Sequence, residues 1–88
     1  MLIHLGGDVA IPGRSIIMIL NSDAEKSSAV KDYLAVVKEE NFVNDLTVEG
    51  LGRTFIITDR GVFISSVSSA TLKRRSDNVL ESIFPKKH

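Results

Sequence analysis

The 88-residue chain has no cysteine and no tryptophan. Without thiols it can form neither a disulfide nor a thiolate metal site, and their absence fits a reducing compartment. Its two histidines, His4 and His88, lie at opposite ends of the sequence, so no imidazole cluster for a metal is visible. The apolar run Ile16 to Leu20 is far shorter than the ~20 residues of a membrane span. The first residues, Met1 to Asp8, lack the basic flank and apolar core of a signal peptide. A cytoplasmic protein without membrane contact is expected. No nucleophile stands beside a histidine and no carboxylate pair is convincing, Glu39-Glu40 reading as solvated surface. The expectation is therefore no enzyme, no metal and no cofactor.

Net charge is also missing: eleven Lys and Arg balance eleven Asp and Glu. That argues against indiscriminate binding of polyanions. The balance hides a mild asymmetry, residues 1–44 summing to −2 and residues 45–88 to +2. Any nucleic-acid footprint must come from local clusters. The length gives one domain, and domains this small bury only roughly 60% of their unfolded surface. Self-association is one way to supply more burial.

What is present is organised around Arg53 to Arg75. Phe55–Thr58 and Val62–Ser65 read as two strands joined by Asp59-Arg60-Gly61, with Gly61 at positive φ. Their Phe, Ile and Val content shows little polar alternation, as in a strand pair buried on both faces. Before them, Leu2–Leu5 and Asp8–Ile11 read as paired strands about Gly6-Gly7. Pro12-Gly13 breaks that ladder, and Ile16–Leu20 reads as a buried central strand. His4 reads as a half-buried packing residue. Ser22-Asp23-Ala24-Glu25 has capping-box spacing and predicts a helix over about 23–40. Asn41 then takes the left-handed position and Phe42 folds back on the helix. Leu46–Glu49 alternates like a strand edge, and Gly50-Leu51-Gly52 reads as a flexible connection or a weak phosphate loop. Ser68 or Ser69 caps a second helix over about 70–84, whose apolar face is Leu72, Ser76, Val79, Leu80 and Ile83. The expected fold is α+β: a small antiparallel sheet, built from the N-terminal strands, Ile16–Leu20 and the central hairpin, with two helices. It spans 1–84 and is followed by a basic tail, 85–88.

Lys73, Arg74 and Arg75 fall near the start of the second helix, the positive end of its macrodipole, where acidic residues are the stabilising choice. A solvated basic face is one reading. A phosphate site using both cations and free N–H groups is the other. Arg53, at the base of a rigid strand, is a further candidate cation.

Taken together, Leu2-Ile3-His4-Leu5-Gly6, Arg14-Ser15-Ile16-Ile17, Ile56-Ile57-Thr58 and Ser68 to Arg75 resemble the extracellular matrix regulatory proteins of Firmicutes. The B type is the better match and the A type is more distant. The resemblance covers almost the whole chain through Arg75. It implies a small cytoplasmic α+β homo-oligomer, such as the rings of the A type, related to DNA-binding transcriptional regulators of biofilm matrix genes. A-type proteins set an arginine directly before the second buried strand; here Arg14 is displaced by one residue. They also set adjacent arginines before the hairpin, where this chain has Gly50-Leu51-Gly52-Arg53. The implied contacts to the phosphates of double-stranded DNA are Arg14, Arg53, Lys73, Arg74 and Arg75. A structural or partner-binding module that self-assembles without DNA is the alternative.

Overall fold

The computed structural model describes residues 1–83, with side chains through Ser76. In chain order the elements are β1 (Leu2–Gly6), β2 (Val9–Pro12), β3 (Ile16–Leu20), α1 (Ser28–Glu39), β4 (Val43–Asp45), β5 (Thr54–Thr58), β6 (Gly61–Ser65) and α2 (Ser69–Ile83). Single 3₁₀ turns occupy Gly13–Ser15 and Ser22–Lys26. The fold class is α+β, as read from the sequence. The expected tail 85–88 lies outside the described residues, as does Phe84.

The β5–β6 hairpin is central, and its lack of polar alternation has the expected cause. Alternate side chains enter two separate cores. Phe55, Ile57, Val62 and Ile64 meet Leu34 and Val37 of α1. Ile56 and Phe63, on the opposite face, meet Ile3, Leu5 and Ile11 of the β1–β2 hairpin and Leu72 of α2. The result is three layers: α1, a four-stranded sheet, then the β1–β2 hairpin with α2. Phe55, Ile56, Leu5 and Leu72 have no exposed surface, and full burial of such a side chain stabilises by about 1.5–3 kcal/mol. The buried Ser65 hydroxyl donates to the Leu5 carbonyl and accepts from the Val67 N–H at 3.0 Å. It thereby joins the outer hairpin to β6.

The hairpin loop is Asp59-Arg60, with Gly61 already paired to Thr58. The Thr58 hydroxyl closes it, donating to the Gly61 carbonyl at 2.8 Å and accepting from the Arg60 N–H at 3.1 Å. Gly61 has the expected positive φ, +131°. It meets a second demand as well: a Cβ there would sit 2.3 Å from the Phe42 carbonyl oxygen. That close approach lets the Val62 N–H donate to Phe42 at 2.7 Å and start β4.

Several expectations are corrected. The N-terminal strands form their own two-stranded sheet, and the main sheet has the order β3-β5-β6-β4. β3 is therefore an edge strand, with Ile17 66% and Met18 50% exposed. Its pairing with β5 shifts register between Ile16 and Met18, which turns Ile17 into a bulge residue. The fourth strand is Val43–Asp45 rather than Leu46–Glu49, and it pairs parallel to β6. The Ser22–Glu25 capping box is not made. Asn21 accepts from the Asp23 N–H at 2.9 Å, the first turn is 3₁₀, and α1 begins after Ser27, whose hydroxyl accepts from Val30. His4 is exposed rather than half-buried.

Both helix ends foreseen at Asn41 and Ser68 are present. Asn41 has φ +61°. Its N–H donates to Lys38 at 3.1 Å, and that of Phe42 donates to Val37 at 2.9 Å, the two bonds of a Schellman ending. The Phe42 side chain does not fold back as expected and is 52% exposed. Ser68 caps α2, its hydroxyl accepting from the Thr71 N–H at 3.2 Å. Leu72 faces the core as predicted; the face assigned to Val79, Leu80 and Ile83 lies outside the described side chains.

Candidate nucleic-acid interface

The sheet topology sets where each candidate cation stands. β3 begins beside Thr58, the last residue of β5, so Arg14 lies at the hairpin-tip end of the sheet. Arg53 immediately precedes Thr54 at the other end. A five-residue strand is about 17 Å long, so these two arginines are separated by the length of the sheet. Lys73, Arg74 and Arg75 belong to the third layer, on α2. One chain thus carries its five candidates in three places.

Arg14 projects from the short 3₁₀ turn that joins the two sheets. The Asp59 N–H donates to the Ser15 carbonyl at 3.1 Å, which fixes that turn against the hairpin tip. Arg14 and Arg60 consequently line one pocket of about 350 Å³ with Ser15, Thr58, Asp59 and Phe63. Arg60 escaped notice in the sequence because it stands alone in a hairpin loop, seven positions from Arg53 and thirteen from Lys73. The signal that finds it is the antiparallel β3–β5 pairing, which brings the residue before β3 to the residues after β5.

Arg53 is engaged within the chain. Its guanidinium pairs with Glu25 at 3.0 Å, both side chains being nearly half exposed, and it lies 5.4 Å over the Phe55 ring. An exposed pair of this kind contributes only about 0–1 kcal/mol, so a phosphate can compete for it. Asp45 is a second acidic neighbour. The Thr47 hydroxyl and then the Thr47 N–H, at 2.9 Å, donate to its carboxylate. These bonds, with a smaller contribution from Arg53, hold the Asp45 carboxyl below the ordinary carboxylate range against a slight opposing effect of burial.

On α2 the cations sit within the first two turns, as the sequence suggested. The helix begins at Ser69, and residues 73–75 occupy its second turn. The macrodipole falls off within the first turn, so the conflict between cations and dipole is milder than expected. Lys73 and Arg74 are exposed, and Arg74 reaches Thr71 Oγ1 at 3.4 Å. Arg75 differs: its guanidinium donates to the His4 carbonyl at 2.7 Å, pinning α2 to β1. No acidic residue stands in the first turn of the helix.

Among the described residues no three His, Cys, Asp or Glu side chains gather as a metal set. Nor is any helix there long and apolar enough to cross a membrane.

Comparison with known proteins gives two findings. A family model described as RemA-like, extracellular matrix regulatory protein A-like, matches residues 2–75. The extracellular matrix regulatory protein B of Bacillus subtilis (strain 168) is 31% identical over 81 residues, covering 92% of this chain and 96% of that protein.

Proposed function

The chain belongs to the RemA-like family of extracellular matrix regulatory proteins, and from that premise we propose that it is a DNA-binding transcriptional regulator of matrix genes. It is a regulator and not an enzyme in this reading, acts in the cytoplasm, and works as a homo-oligomer. The duplex is held through its phosphates by Arg14, Arg53, Lys73, Arg74 and Arg75. The observation that carries the reading is the exposed Lys73-Arg74 pair on a helix with no acidic residue in its first turn. Cations on rigid elements suit phosphate contacts, which set register along the duplex without reading bases.

The scatter of these groups supports oligomerisation in this reading. One protomer presents a few cations in three places and is neutral overall. Its non-specific affinity is expected at about 10⁻⁴–10⁻⁶ M in physiological salt. Repeating the same surface along one duplex raises affinity by avidity without new contacts. Specificity then comes from the shape and bendability of the DNA.

A second reading has its own support. Arg53 is paired with Glu25 and Arg75 with the His4 carbonyl, so two of the five candidates are occupied within the fold. That favours a self-assembling structural or partner-binding module. Anisotropy titration of the purified chain against matrix-promoter DNA separates the two. The regulator binds saturably and in a salt-sensitive way, whereas binding absent even at low salt leaves the partner module.

A further inference from the structure

A groove of about 810 Å³ runs beside α1, between the helix and the face of β4, β6 and β5. Small-molecule pockets of proteins fall in the range of about 300–1,000 Å³. The floor is apolar, formed by Leu34, Val43 and Ile64 with the buried Phe55 ring beneath, and the rim is basic, formed by Lys31, Lys38 and Arg53. Lys31 and Lys38 are two helical turns apart, which sets them on one face of α1.

Two carboxylates, Glu25 and Asp45, also reach this rim. Asp45 accepts two hydrogen bonds from Thr47, and Glu25 pairs with Arg53. Neither Lys31 nor Lys38 has an ion pair among the described residues. The rim therefore keeps cationic capacity that the fold does not use, above a floor that favours a flat apolar body. Arg53 is held over that floor by the Phe55 ring as well as by Glu25.

We propose that the groove binds a small organic anion, a phosphate monoester on a flat apolar body, whose phosphate takes the place of Glu25 on Arg53. The phosphate lies between Arg53 and the two lysines, and the body rests on Leu34, Val43 and Ile64. Glu25 is then an internal competitor that occupies Arg53 while the groove is empty. Sharing of Arg53 makes the ligand an antagonist of the phosphate contact assigned to that residue, a consequence that rests on the DNA-binding reading. The site itself does not.

The test is an NMR titration of the ¹⁵N-labelled full chain with 1-naphthyl phosphate, in the absence of DNA. Saturable shifts are expected at the amides of Leu34, Ala35, Val43 and Ile64. Alanine at both Lys31 and Lys38 weakens binding about tenfold, the equivalent of one charge-assisted hydrogen bond. Glu25→Gln removes the competitor with little change of shape and tightens binding severalfold. Inorganic phosphate and 1-naphthol, each offering half of the chemistry, bind much more weakly than the ester. Absence of saturation, shifts mapped to another face, a Glu25→Gln variant that binds more weakly, or inorganic phosphate binding as well as the ester would each overturn the proposal. With no DNA present, such a failure leaves the regulator reading standing. Equally, failure of DNA binding leaves the ligand site standing.

Discussion

At the scale of single residues, Asp45 carries the clearest electrostatic signature. Its carboxylate ends β4 by accepting from the Thr47 hydroxyl and N–H, which holds its pKa below the ordinary 3.8. For an acid with a depressed folded pKa, the ionised form is favoured by the fold. The stabilisation is complete above the unfolded pKa and is lost as pH falls through the folded one. Asp45→Asn keeps an acceptor oxygen but not the charge. Since the group is open to solvent, the cost at pH 7 is small, about 0.5 kcal/mol. The urea midpoint of the parent should exceed that of the variant at pH 7, and the gap should close as pH drops below 3.8. A gap that widens in acid would contradict the assigned direction. Glu25 shows how a residue's role is decided from outside its own segment. Its spacing from Ser22 fits a capping box, yet in the fold it reaches Arg53, twenty-eight positions along the chain.

Among the elements, those with local causes were legible. Asn41 and Ser68 were readable as helix boundaries because caps depend on the chemistry of a few neighbouring residues. The Asn41 position gives a sharp expectation. A left-handed conformation costs a residue with a Cβ and no local hydrogen bond about 1–2 kcal/mol. Asn41→Ala should thus lower the melting temperature by about 4–8 °C per kcal/mol for a domain of this size. Asn41→Gly should match or exceed the parent. Equal melting of the alanine and glycine variants would mean that the cap geometry is not what limits this helix end. The central hairpin was legible too, since a strand buried on both faces must lack polar alternation. What could not be read was strand order. Ile16–Leu20 is as apolar as a central strand, but its place at the edge is set by pairing with β5, forty residues away. The parallel β4 was hidden for a similar reason. It is only three residues long, and the Phe42–Gly61 backbone approach that creates it appears only once the hairpin and α1 are packed.

At the scale of the whole molecule, the candidate site was legible as residue types but not as an arrangement. Arg14, Arg53 and the Lys73–Arg75 segment stood out in the sequence. Their division between the two ends of one sheet and a helix in another layer follows from topology alone. Arg60 joined Arg14 by the same route. This division predicts how DNA binding responds to mutation. If several protomers each contribute a few scattered phosphate contacts, no single protomer surface dominates and every contact adds to the salt dependence. Each phosphate neutralised adds about 0.9 to the slope of log affinity against log salt. Alanine at Lys73 and Arg74 removes two exposed cations that bear on no core residue, so the fold and the assembly should persist by light scattering. Binding should weaken to a similar degree on unrelated sequences, and the salt slope should fall. Arg53→Ala should have a smaller effect per residue than the pair, because part of its charge is already answered by Glu25 at 3.0 Å. Variants that bind as tightly as the parent, or a parent whose affinity barely changes between low and moderate salt, would rule out phosphate clamping. Loss of binding on one promoter alone, with others unaffected, would instead place base reading at Lys73 and Arg74.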